Sequence, residues 1–467
     1  MVDNGSAPLP VGVTDVAEMR RLLECLDPAV TVDTASRAGR RAAPLADPAR
    51  GGHGLTQAQC IDLLRELEDL KAAAAGAQAV VTAHLAQARH DAEQAAGVPA
   101  DARCKGLASE VALARRLSPH RGGQHLGMAR TLREDMPHTL AALRTGLLSE
   151  WRATLLVRES ICLGTAERRA FDGEMCTDLD RLDGWGDRRL VAEAKKVAYR
   201  LDPHSVVERA ARAEKDRCVS IRPAPDTMAY LTALLPVSRA VAAHAALLAA
   251  ATAAQASGDG RSRGQVMADT LVSRLTGTDA DVPASVEVQL VMTDHSLLAG
   301  GEEPAQLAGH GTVPAAWARD LVDRALRCEA GVWLRRLFTD PADQLVAMES
   351  RRRTAPAGLA RFIAVRDGGT CRTRWCDAPI RHIDHVVDHS VGGATTAAGL
   401  QGCCERCNYV KTAPGWRARP VLAEGPAPEG PRAGPVVETR TPTGHVYRSR
   451  PPGLPRVPRA APPPRRE

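Results

Sequence analysis

HIDHVVDHSVGGATT, residues 382–396, lies between two cysteine groups, CRTRWC at 371–376 and CCERC at 403–407. Three of the chain's 14 histidines and two aspartates fall within its first eight residues. A structural histidine needs one or two partners, so such crowding points to metal chemistry or proton transfer. The cysteines supply a frame: Cys371-x4-Cys376, then 27 residues, then Cys404-x2-Cys407. Two pairs, each within reach of one tetrahedral ion, suit a closed structural zinc site. Simple zinc ribbons use a spacer of about 15–20 residues; the longer one here contains the histidine cluster. Zinc would staple the ends of an insert too small to build its own core. Cys403 is left over and is expected as a buried free thiol.

Between the staples, Ile380 to Val387 reads as a strand and Gly392-Gly393 as a turn. CERCNYVK, from Cys404, reads as the start of a helix that stops at Pro414-Gly415. The spacing predicts a ββα unit. It also places Cys404, Asn408 and Lys411 on one helical face.

Outside this unit the chain changes character. Residues 1–350 carry 41 basic and 46 acidic side chains, residues 351–417 carry 11 and 5, and residues 418–467 carry 9 and 4. The net charge of +6 is therefore concentrated at the end that holds the histidines, and a polyanion is the partner this implies. Of 12 cysteines, five fall within 37 positions, which argues for a metal site over a disulfide framework. Hydrophobic residues make up 44% and aromatics only 3%, so alanine, leucine and valine must do the packing, which favours helices. The start, MVDNGSAPLPVGVTD, has no basic segment followed by an apolar run, so no signal peptide is expected. Ala240 to Ala256 is alanine-rich and interrupted by His244, and is expected to be too short and too weakly apolar to span a bilayer. A soluble cytoplasmic protein without membrane contact is the expectation.

The expected organisation is a mostly irregular segment over 1–53, a helical domain over 54–353, the cysteine-framed module over 354–417, and a Pro-rich tail over 418–467. Thr56 and Gln59 form a candidate capping box ahead of an apolar stripe from Cys60 to Leu70, and alanine-rich sequence continues that helix to about Ala96. Further helices are expected near 107–117, 119–134, 137–163, 165–178, 187–199, 205–214, 235–256, 263–277, 314–327 and 341–351. One strand is expected at 286–292, where the period changes to two. Ser109 to Leu132 admits two readings: a helix-turn-helix with Ser118-Pro119 opening its second helix, or two packed helices joined by a tight corner. Gly122-Gly123 would weaken a recognition helix. In the tail, VVETRTPTGHVYRSR (436–450) reads as a short hairpin around Thr441 to Gly444.

The pattern C-x4-C…DH…GG-x-T…C-x2-C-N-x2-K resembles the HNH endonuclease family in its cysteine-stapled form. RLDP (200–203), QVMADTLV (265–272) and the TPTG turn resemble an actinobacterial family called domain of unknown function 222, whose members commonly end in an HNH module. The resemblance spans roughly residues 54–450. It implies a mainly α fold: a large helical domain, a small zinc-stabilised ββα-metal module, and a Pro/Arg-rich tail.

The resemblance also implies chemistry. Cutting a phosphodiester needs a base to activate water and a cation to neutralise the phosphate and the leaving 3′ oxygen. In this family the His of the Asp-His pair is the base, which assigns that role to His385. Asp384 would bind the catalytic cation, and a hard oxygen ligand favours Mg²⁺ or Mn²⁺. Asn408 fills the place of the second ligand, and Lys411 that of a phosphate contact. His382 and His389 are candidates for substrate contact or support. One position departs from the pattern: Gly399 stands where an Asn should orient the catalytic imidazole, which leaves Gln401 or a backbone carbonyl to do so. The expected function is a metal-dependent DNA endonuclease with structural Zn²⁺ and no small-molecule cofactor. The alternatives are a zinc-stabilised nucleic-acid-binding protein with a weakened cutting site, and a helical interaction scaffold with an incidental zinc knot.

Overall fold

The computed structural model describes residues 57–182, 184–277, 288–327, 354–421 and 435–452. The chain divides into a unit Met1–Glu66 and a unit Leu67–Glu467. The irregular segment expected at 1–53, the Thr56 cap and the helix expected at 341–351 lie outside the described residues, as does the tail beyond 452. The described fold is mainly helical with four small antiparallel sheets.

Helix α1 runs over Gln57–Ala95 and buries an alanine stripe, Ala72, Ala75, Ala79 and Ala83, at helical spacing. Helices α2 (Leu107–Arg115) and α3 (Pro119–Glu134) form the corner foreseen at 109–132. Arg116, with φ 58°, closes α2, and Ser118 caps α3 by accepting from the Arg121 N–H, with Pro119 in the first turn. The double glycine has a packing reason. A Cβ on Gly122 would collide with the Ala108 carbonyl, and one on Gly123 would meet the Arg406 guanidinium. The start of α3 is thus covered by α2 on one side and by the C-terminal module on the other, and this corner is a packed one.

The single helix expected over 137–163 is two, α4 (Pro137–Arg144) and α5 (Glu150–Ser160). Gly146 adopts φ +87° against Asp69 of α1, a conformation and an approach that a side chain would forbid, and Ser149 then caps α5. Helices α6 (Thr165–Cys176), α7 (Asp187–Leu201) and α8 (Pro203–Ala213) follow. Leu132, Met136, Leu143, Leu156, Phe171 and Leu190 fill the core between them. Buried Asp172 caps α4 from a distance, accepting from the His138 and Thr139 N–H groups at 2.7 and 2.9 Å.

Two strands absent from the sequence-based expectation come next: β1 (Cys218–Pro223) pairs antiparallel with β2 (Ala229–Leu234), and every residue of both strands is exposed. Helices α9 (Val237–Ala256) and α10 (Arg263–Thr276) pack on each other, and Ser262 and Gln265 form a capping box on α10. Helix α9 lies within the helix expected at 235–256 and starts three residues before the apolar stretch Ala240 to Ala256. At 20 residues and mean hydropathy 1.4, it is the one described helix long and apolar enough to cross a membrane, by length and composition only. The strand expected at 286–292 is described from 288, and its ladder is β3 (Leu290–Val291), with the Gln289 carbonyl accepting from the Ala308 N–H at 3.0 Å just before it. It joins β4 (Ala305–Leu307) and β5 (Gly311–Val313) in a three-stranded sheet, with α11 (Asp294–Leu298) and α12 (Ala315–Arg327) beside it.

The C-terminal module contains α13 (Ala357–Arg366), β6 (His382–His385), β7 (Leu400–Cys403) and α14 (Glu405–Lys411). This is the ββα order expected. Strand β8 (Arg417–Val421) then adds a third, unforeseen strand to the tail hairpin of β9 (Val436–Arg440) and β10 (Val446–Ser449), in the order β10-β9-β8.

Candidate functional site

The turn after α13 uses Gly368 and Gly369, both at positive φ, to bring Cys371 onto the Ala378 carbonyl. Cys376 closes the same loop by donating its N–H to the Thr373 carbonyl at 2.9 Å. Cys404 is the N-cap of α14, its sulfur accepting from the Cys407 N–H. The two loops converge so that the sulfurs of Cys371, Cys376, Cys404 and Cys407 all lie within 4.8 Å of one another. Cys376 and Cys404 Sγ are 3.8 Å apart. Four thiolates around one zinc at about 2.3 Å have edges of about 3.8 Å, so the donor set fits that ion. The fifth cysteine, Cys403, is buried and free, as expected. Hydrogen bonds from Cys376, Cys403 and Cys407 hold the Cys371 thiol well below its ordinary range, while Cys371 and burial push Cys403 up.

A buried carboxylate joins this knuckle to the rest of the module. Asp367 accepts from Arg366 at 2.8 and 2.9 Å, from Arg372 at 2.9 Å and from the Gly402 N–H at 2.8 Å. Arg366 also donates to the Leu400 carbonyl at 2.9 Å. Arg372 reaches the Pro435 and Ser449 carbonyls at 2.7 and 3.3 Å. Helix, knuckle, β7 and the tail sheet therefore meet at one ionic hub. The sequence carries no signal for it, because each member is a lone charge among ordinary neighbours.

Strands β6 and β7 pair in the register His382↔Cys403, Asp384↔Gln401 and His385↔Leu400. The Lys411 ammonium of α14 donates to the Asp384 carboxylate and to the His385 carbonyl. One turn earlier on the same helix, Asn408 keeps a buried Oδ1 with no hydrogen-bond partner among the described residues. His385 is buried at the strand end. Its Nε2 meets the Thr395 hydroxyl at 2.9 Å. Burial, with help from His389, holds the imidazole below its usual pKa against the opposing pull of Asp384. His389 is exposed, with its ring edge-on to His385 at 5.1 Å. His382 lies three residues before His385, on the opposite face of the strand.

Gln401 faces Asp384 across the ladder, so the side chain that engages His385 is Thr395, which the sequence reading passed over. Its only sequence signal is a threonine close behind the glycine turn. A Cβ on Gly399 would collide with the Ala394 carbonyl, and the backbone N–H of Gly399 accordingly approaches Thr396 Oγ1 at 2.9 Å. That position has no room for a longer side chain.

The module packs on the helical domain. Trp416, Ala413 and Leu113 form a small apolar cluster beside a cavity of about 30 Å³ lined by Ser109, Arg372, Gln401 and Lys411. The Trp416 indole lies against Gly106. Buried Glu110 of α2 accepts from the Thr443 N–H and hydroxyl at 3.0 and 2.6 Å and from Arg89 at 3.0 Å, holding the TPTG turn in place.

The family model described as "Domain of unknown function (DUF222)" matches residues 64–367, from the first helix to the Asp367 hub. No curated protein and no solved structure matches the chain. Since the match takes in well over half of the 467 residues, the chain belongs to the DUF222 family.

Proposed function

We propose that residues 354–417 are an HNH-type endonuclease module that hydrolyses DNA phosphodiester bonds, held in shape by zinc on Cys371, Cys376, Cys404 and Cys407. The observation that carries this reading is the Lys411 ammonium joining the Asp384 carboxylate to the His385 backbone carbonyl, beside the buried His385 ring, at one end of a sulfur-framed ββα unit. His385 acts as general base. The tautomer in which Nε2–H donates to Thr395 Oγ1 would leave the Nδ1 lone pair to accept a proton from water. Burial lowers the pKa of the imidazole and so favours its neutral form, the one a base requires.

Asp384 and Asn408 are the residues that would hold a divalent cation, and the partnerless Asn408 oxygen suits a hard ion. Bound there, Mg²⁺ or Mn²⁺ would supply charge neutralisation at the phosphate. Lys411 supplies positive charge from the protein itself. The test is plasmid cleavage with and without Mg²⁺ or Mn²⁺, wild type beside His385→Ala. Loss of cleavage with DNA affinity and zinc content unchanged is the expected result; equal cleavage by the variant overturns the assignment of the base.

A second reading, nucleic-acid binding with weak cutting, is favoured by the Lys411 ammonium lying on the Asp384 carboxylate, where it competes with a cation. Intact plasmids in every divalent buffer, together with firm DNA binding, would select it.

A further inference from the structure

We infer that the outer face of the β8-β9-β10 sheet is a phosphate-binding platform for the backbone of a nucleic acid. The inference rests on the nucleic-acid reading of the module and adds where the polymer is gripped. The register sets two rows across the sheet, Arg417↔Arg440↔Val446 and Arg419↔Glu438↔Arg448. Directly opposed residues share a face, so four arginines and one glutamate project together. The other face is the inner one: Tyr447 packs with Trp416 and Leu113, and Ala418 and Thr439 line the cavity.

Within the outer face the charges are not balanced. Glu438 accepts from Arg419 at 2.8 and 2.9 Å and from Arg448 at 2.9 Å, which fixes both guanidiniums and leaves each with unused N–H donors. Arg417 and Arg440 are exposed direct cross-strand neighbours, and neither makes an ion pair among the described residues. Like charges directly opposite destabilise a sheet, so folding alone does not favour this pair. A phosphate chain would neutralise it and occupy the spare donors.

The platform is also fastened to the module. Arg372 and Arg374, from the cysteine knuckle, donate to the carbonyls of Pro435, Ser449 and Arg448 at 2.7, 3.3 and 3.3 Å. A polymer held on the sheet is therefore held by the same framework that carries His385.

The test uses the full-length, zinc-loaded protein and a labelled DNA duplex, with affinity measured across a salt series. Arg417→Gln with Arg440→Gln should lower the slope of log K against log salt by about 2, with affinity falling about tenfold or more near 0.1 M salt. Thermal stability should hold or rise as the like-charge contact is removed. The pair Arg417→Lys with Arg440→Lys should keep the wild-type slope, which separates charge from a folding defect. An unchanged slope in the glutamine variant, with wild type binding well, overturns the platform alone. No binding by wild type overturns the nucleic-acid reading with it. Equal, arginine-dependent capture of polyglutamate would overturn nucleic acid as the occupant.

Discussion

Asp367 and Arg372 meet at 2.9 Å with side chains 0% and 2% exposed, and the same carboxylate also carries Arg366. Two buried guanidiniums thus depend on one anion, and desolvation would make either costly without it. Asp367→Ala should lower stability by roughly 3–5 kcal/mol, because it strands uncompensated buried charge. Denaturant unfolding checks this. Lys71→Ala, which breaks an exposed i,i+3 pair, should change stability by no more than about 0.5 kcal/mol.

Zinc should separate the cysteines by role. Wild type is expected to hold one zinc per chain by metal analysis. Cys404→Ser should release it and open residues 371–411 to proteolysis while most helical signal persists, because the α1–α8 core is built without these residues. Cys403→Ser should keep the zinc. Loss of metal from that variant would place Cys403 among the ligands.

Thr395→Val removes the hydroxyl beside His385 but keeps the volume. If His385 is the base proposed above, cleavage should fall on the order of 10- to 100-fold through its misorientation. Thr395→Ser should restore most of it, and DNA affinity should not change in either variant. Wild-type rates in Thr395→Val would show that the ring is held by other means.

Gly399→Asn supplies the residue that the HNH pattern has at this point, yet it should not improve the protein. Its Cβ would run into the Ala394 carbonyl, so the loop must shift at a cost of about 1–3 kcal/mol. A lower melting temperature with no gain in cleavage is expected. A faster enzyme of unchanged stability would refute the steric argument.

Glu110→Ala should release the TPTG turn from α2. Hydrogen exchange over 436–449 should speed up, with slower-exchanging core helices unaffected, since Thr443 loses both of its bonds to that carboxylate. Unaltered protection there would mean the sheet is held by its other contacts, those of Arg372, Arg374 and Tyr447, without the Glu110 bonds.

Local rules carried a large part of this structure. Helix limits followed from caps and apolar stripes: α3 begins at Pro119, as Ser118-Pro119 foretells, and α10 at Arg263, where a helix is expected. Four sulfurs converge because a short knuckle and a helix N-cap suffice to place them, and the ββα order follows from a strand, a glycine turn and a helix start. Other features depend on partners distant in the chain. The break between α4 and α5 is made by Asp69, the closeness of α2 and α3 by a glycine facing Ala108, and the third strand β8 by a hairpin that begins only at Val436.

The sequence by itself therefore determined a mainly helical chain with a sulfur-framed, histidine-rich end, because periodicity, caps and ligand spacing act over a few residues. The tertiary structure alone decided that Thr395 holds His385, that Asp367 unites two arginines, and that Arg417 stands opposite Arg440. Those relationships depend on strand register and on which element covers which face, and a pattern that specifies a buried face does not specify what buries it.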